Sequence, residues 1–225
     1  MCYNKNINFS KLKFIIAYPI QQIKMNKFTT SIPTKARDII QKALQNKRYE
    51  LLEPEAKELI EAFGITTTRH TVTSSLTEAI QAATSIGYPV VLKIVSPDIS
   101  HKTDVGGVKV GIKDNEGIKT AYEEIMKNVN MKKPDARIHG IIVEEMATPS
   151  TEVIVGGLRD PQFGPAVMFG LGGIFVEIYK DVSFRIAPLE EYEAIDMIHE
   201  IKGVKVLNGF RNTKALDITA LAQII

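Results

Sequence analysis

The chain has 225 residues, 44% of them hydrophobic and 24% charged, which supports a packed core of one large or two small domains. Its 28 Lys and Arg against 26 Asp and Glu leave a net charge of +2 with no basic block, which argues against a nucleic-acid surface. The apolar window Phe14 to Ile20 contains Pro19 and falls far short of the roughly 18 to 20 residues that span a bilayer, and no cleavage-site pattern follows it. Neither a membrane span nor a secretory signal is expected, and the single cysteine, Cys2, fits a cytoplasmic location.

Residues 1–34 read as a leader, either a disordered tail or residues upstream of a true start at Met25. Apolar positions Ala36, Ile39, Ile40, Ala43 and Leu44 then recur at helical spacing between Thr34 and Arg48. A second helix is expected from Pro54 to Phe63, with Pro54 in its first turn and Gly64 as its stop. Thr-rich Ile65 to Val72 predicts a strand, and Ser75 followed by Glu78 is a capping box for a helix over Leu76 to Ile86. PVVLKIV, residues 89–95, is a buried strand in pattern. A polar loop follows over 96–106, then a strand over Val108 to Ile112 and a long helix opened by Asp114 or Asn115.

From Ala136 the pattern becomes strand-rich with glycine turns: IHGIIVEEM, EVIVGGL, PAVMFGL, IFVEIY and SFRIAPL, then a helix over 190–201. This predicts a second lobe built on an antiparallel sheet, and an α+β chain divided into residues 35–135 and 136–225.

Several residues along this path suit phosphate chemistry. Lys93 stands in an apolar strand, so its ammonium either reaches water at an edge or meets a buried anion such as a phosphate. Gly106 and Gly107 allow close approach to the backbone, although such a pair is also ordinary turn chemistry, and it matches neither the P-loop nor the dinucleotide spacing. Between these elements, His101 is a surface histidine beside Lys102 and Asp104, and imidazole is nucleophilic toward phosphorus near neutral pH.

His70, His139 and His199 lack such neighbours and read as structural. Glu144, Glu145 and Met146 end an apolar strand, either as a solvated strand end or as hydrogen-bonding and apolar partners for a nucleotide. Glu152 and Glu177 stand on later strands and could join them around phosphate-borne Mg²⁺. No histidine or cysteine pair has metal-ligand spacing.

Taken in order, the blocks LLEPEAKELIEAFGI, GYPVVLKIVSPDISHKTDVGGVKVGI, IIVEEM, EVIVGGLRDPQFGPAVMFGLGGIFVEIYKDVSFRIAPL and IKGVKVLNGFR resemble the beta subunits of ADP-forming acetyl-CoA synthetases. The resemblance runs from about Leu51 to Ile225. It implies an ATP-grasp fold, two α/β lobes with a nucleotide between them, and reversible transfer of a phosphoryl group to ADP to give ATP with Mg²⁺. It also implies a hetero-oligomer with a CoA-binding alpha subunit that carries its own phosphohistidine.

By the same resemblance, His101 matches the beta-subunit histidine that takes the phosphoryl group, and Lys93 the lysine on the phosphates. Gly106, Gly107 and Val108 match the loop over them, Glu144, Glu145 and Met146 the adenine hinge, and Glu152 an acidic position beside the nucleotide. Family members continue past the position of Ile225 into an acidic metal-binding stretch, so the second lobe is expected to be incomplete at its end. The alternative is a non-catalytic ATP-grasp module of the kind fused to protein acyltransferases.

Overall fold

The computed structural model describes residues 32–148, 151–172, 180–209 and 215–225. The leader expectation for residues 1–31 and the strand expected over 174–179, with Gly173 and Glu177, lie outside them. The described chain forms two compact units that divide between Ala147 and Thr148. Each carries an antiparallel sheet with helices, an α+β arrangement as expected.

The first unit opens with helices α1 (Thr34–Gln45) and α2 (Glu53–Ala62). Its sheet has the order β1-β4-β2-β3, from β1 (His70–Thr73), β2 (Val90–Val95), β3 (Val108–Ile112) and β4 (Gly140–Glu145). Helices α3 (Leu76–Ile86) and α4 (Asn115–Lys132) complete it. Sequence reading put the lobe boundary at 135/136, ahead of β4. In the structure β4 pairs with both β1 and β2, so it is a central strand of the first unit. A change in local composition marks where strands become frequent, whereas membership of a sheet is set by register across distant segments.

Local chemistry sets these elements. Ser75 accepts from the Glu78 N–H at 3.2 Å to start α3, and Gly87, at φ 93°, ends it. Asp114 accepts from the Gly117 N–H at 2.8 Å to start α4. The strand expected from Ile65 forms only at His70. The preceding threonines turn their hydroxyls inward instead, Thr67 to Glu61 and Thr68 to Glu144.

Alternation along the strands gives the sheet two different faces. Val90, Leu92 and Ile94 of β2 and Ile141 and Val143 of β4 face one way and pack with Ala79 and Ala83 of α3 and Ile118, Ile125 and Val129 of α4, all fully buried. Each such large aliphatic contributes about 1.5–3 kcal/mol of burial free energy. The opposite face carries Val91 and Lys93 of β2 opposite Glu144 and Ile142 of β4, and Val108 of β3 opposite Lys93.

Gly140 starts β4 at φ 143°, and a Cβ there would lie 2.4 Å from the Thr73 carbonyl oxygen across the β1–β4 pair. Gly140→Ala is therefore expected to destabilise the chain by at least about 2 kcal/mol, read as a lowered urea midpoint at unchanged slope.

The second unit pairs β5 (Val153–Asp160), β6 (Gly164–Leu171) and β7 (Val182–Ile186) in that order. Helices α5 (Glu191–Glu200), α6 (Val204–Leu207) and α7 (Ile218–Ile224) belong to it. Phe169, Leu171, Met197, Ile198 and Leu207 form its core.

Candidate functional site

The site grows from α2. Glu55 closes the helix start by accepting from the Leu52 N–H at 2.8 Å, and its carboxylate also holds both terminal nitrogens of Arg48, at 2.6 and 2.7 Å. With that end fixed, Glu53 and Lys57, four residues apart, share one side of the helix and reach the polar face of the sheet.

There a row of alternating charges forms. Lys57 Nζ donates to Glu144 Oε1 at 2.7 Å and to Thr68 Oγ1 at 2.6 Å, and Thr68 also donates to Glu144. Lys93 Nζ lies 2.6 Å from Glu144 Oε2 and donates to Glu53 Oε1 at 2.7 Å. Lys102 Nζ lies 2.9 Å from Glu53 Oε2. Glu144 Oε2 is buried, and the Lys93 ammonium is its close charged contact.

Burial alone would push the Glu144 carboxyl upward. The charges of Lys93 and Lys57 outweigh it and lower the group to about 2. Glu53 is lowered by the same contest, burial against Lys93 and Lys102. Lys93 is raised because Glu53 and Glu144 overcome the burial of its ammonium. Lys93 thus stands on an interior strand with its charge paired, rather than at an edge.

The loop between β2 and β3 is pinned at several points. Asp98 accepts from the Arg137 N–H at 2.8 Å and from its guanidinium at 2.9 and 2.7 Å, and these bonds bring the Asp98 carboxyl to about 2. Ile99 and Val105 are buried in the hydrophobic core, and Lys132 Nζ donates to the Asp104 carbonyl at 2.8 Å. His101, between these anchors, is exposed, and its neighbour Lys102 turns inward to Glu53.

The glycine pair has a structural reason of its own. A Cβ on Gly107 would lie 2.6 Å from Ile94 Cγ2, and Gly106 adopts φ 70°. Their N–H groups donate to the carbonyls of Lys102 and Thr103, at 2.8 and 3.0 Å. What the pair offers in this arrangement is the shape of the turn, since both N–H groups already donate within the loop.

The structure brings Lys93, Val108 and Glu144 together and separates the paired glutamates. Glu145 lies on the opposite face from Glu144, where it pairs with Arg69, and Met146 follows it, exposed. Glu152 is exposed at the entry to β5 in the second unit, where its carbonyl accepts from the Gly172 N–H at 2.8 Å. Glu53, Lys57 and Thr68 escaped sequence reading. The Glu53–Lys57 spacing was the available signal, but a charged pair on a helix is ordinarily a solvated face.

Residues 42–225 match the family model described as ATP-grasp domain, and the chain belongs to that family. Within it, the chain is 53% identical over 191 residues to the acetate–CoA ligase (ADP-forming) I subunit beta of Pyrococcus furiosus, covering 85% of this chain and 82% of that one. Two solved structures of the dinucleotide forming acetyl-coenzyme A synthetase 1 of Ca. Korarchaeum cryptofilum are also similar. One, in complex with coenzyme A, Ca-AMPCP and HgCl⁺, is 52% identical with a TM-score of 0.82, covering 84% of this chain and 82% of that one. The other, with coenzyme A and Mg-AMPPCP and its phosphohistidine segment pointing towards the nucleotide binding site, is 49% identical with a TM-score of 0.72, covering 84% and 81%.

Proposed function

We propose that this chain is the nucleotide-binding beta subunit of an ADP-forming acetyl-CoA synthetase and that His101 relays the phosphoryl group. The observation that carries the reading is the placement of His101: exposed on a pinned loop, directly before a lysine tied into the Lys93 row. The identity to the Pyrococcus furiosus subunit supports the same reading.

The residues present fit a nucleoside diphosphate. Lys93 and Lys102 supply cations for phosphate oxygens. The buried Glu144 Oε2 is an acceptor with capacity to spare, suited to an amine donor, and the exposed Met146 side chain offers an apolar contact for a ring. The turn at Gly106 to Val108 shapes the phosphate end of the proposed site, and Glu145, turned to the opposite face of β4, stands apart from it. Among the described residues no three His, Cys, Asp or Glu side chains gather as a metal site. Mg²⁺ carried on the phosphates would supply charge neutralisation there.

In the forward direction a neutral His101 nitrogen attacks the phosphorus of a phosphohistidine carried by a CoA-binding alpha subunit. One N–P bond forms as the partner's N–P bond breaks. His101 then yields the group to the terminal oxygen of ADP, so its N–P bond breaks as the new P–O bond of ATP forms. Lys93 and Lys102 hold the oxygens in line and offset their charge, which is most of what phosphoryl transfer asks of a protein. Summed over both subunits, acetyl-CoA, ADP and phosphate become acetate, CoA and ATP. The reading includes a hetero-oligomer and a cytoplasmic setting; among the described residues no helix is long and apolar enough to cross a membrane.

Incubation with γ-labelled ATP and Mg²⁺ tests the relay directly. The chain is expected to acquire label that is lost in acid and retained in base, as phosphohistidine is, and to return it to ADP. A chain that binds ATP yet takes no label would point instead to a non-catalytic binding module.

A further inference from the structure

One member of the charged row has no part in the chemistry above. Glu53 places one carboxylate oxygen 2.7 Å from Lys93 and the other 2.9 Å from Lys102, bridging the two ammonium groups beside the His101 loop. Glu144 is fixed differently, by Lys57 and Thr68 as well as by Lys93. The side chains of Lys93, Glu53 and Lys102 keep 24%, 22% and 21% of their surface exposed, against 9% for Glu144. The bridge is thus more open to a solute than the Glu144 carboxylate is.

Two acceptor oxygens and a negative charge across a short span are also what a phosphate presents to a pair of ammonium groups. Two anions at one such pair repel each other.

We propose that Glu53 is a built-in competitor of the nucleotide's phosphates for Lys93 and Lys102, so that nucleotide binding exchanges a carboxylate for a phosphate. Lys93 would stay oriented during the exchange because Glu144 remains beside it, itself held by Lys57. Glu53 is then a positioning residue: it keeps the two lysines paired and sets how tightly phosphates are held. The idea rests on the nucleotide reading above.

Calorimetric titration of the whole chain with ADP and Mg²⁺ distinguishes the two ideas. Glu53→Gln, which keeps the shape and removes the charge, is expected to lower the Kd for ADP roughly tenfold. Glu58→Gln, an acid on the same helix 3.6 Å from Lys35, should leave the Kd unchanged. An affinity for ADP that Glu53→Gln leaves unchanged or weakens overturns the competitor role alone. Failure of the wild-type chain to bind ADP, or undiminished binding by Lys93→Met, overturns the nucleotide reading and this inference with it.

A second measurement needs no variant. Carbodiimide labelling of wild-type carboxylates, read by mass spectrometry, is expected to rise at Glu53 and not at Glu144 when ADP is added. Labelling at Glu53 that falls or stays level counts against the exchange.

Discussion

His101→Ala is expected to lower ATP formation from acetyl-CoA, phosphate and ADP by about a thousandfold or more when the chain is assayed with its alpha partner. ADP affinity should stay within about twofold, since the contacts proposed for the nucleotide come from Lys93, Lys102 and Glu144 rather than from the imidazole. The side chain is exposed, and the loop that carries it is anchored elsewhere, by Ile99, Val105 and the Asp98–Arg137 pair. Its removal should therefore change stability by no more than about 0.5 kcal/mol.

The predicted signature is a collapse of kcat with an unmoved Tm and an unmoved ADP isotherm. A His101→Ala chain that made ATP at the wild-type rate would remove the relay while leaving nucleotide binding intact. The loss of acid-labile label should accompany the loss of turnover in the same variant.

The elements that sequence reading recovered are those with local signatures. The cap at Ser75, the stop at Gly87 and the apolar run of β2 each announce themselves within a few residues, and all three stand where expected. The place of β4 was harder, because which sheet a strand joins depends on partners far away: Glu144 stands opposite His70 of β1 and Val91 of β2.

The site divides in the same manner. Lys93 is conspicuous as a charge in an apolar strand, and His101 as an unexplained residue in a polar loop. Glu53 and Lys57 look like solvated helix residues until the fold brings α2 across the polar face of the sheet. Glu144 and Glu145 look like a pair in sequence, yet strand alternation sends them to opposite faces. Thr68 became legible only through Glu144, across a sequence distance that no local pattern spans.

Lys57→Met tests the buried end of the row. Lys57 and Glu144 keep only 13% and 9% of their side-chain surface, and breaking such a pair from one side leaves a carboxylate in a poorly solvated place. The expected cost is about 3 kcal/mol, at the low end for a broken buried pair because Lys93 still faces the other Glu144 oxygen. Acidification gives the sharper check. In the folded wild type, Lys93 and Lys57 hold Glu144 at about 2, below the value near 4.3 of a free glutamate. The unfolded chain therefore binds the proton more readily.

The contribution of Glu144 is thus fully present above the unfolded value and is lost as the pH falls from there through about 2. Without Lys57 the folded Glu144 titrates closer to its ordinary range, so the variant has less of this contribution to lose. Wild-type and Lys57→Met stabilities from urea denaturation should differ most at neutral pH, approach each other as the pH falls below the ordinary glutamate value, and converge only below about pH 2. Adding Glu144→Gln to Lys57→Met should recover part of the loss, because the stranded charge is then gone. A gap between the two proteins that stays constant on acidification would mean that Lys57 acts through packing of its aliphatic stem and not through Glu144.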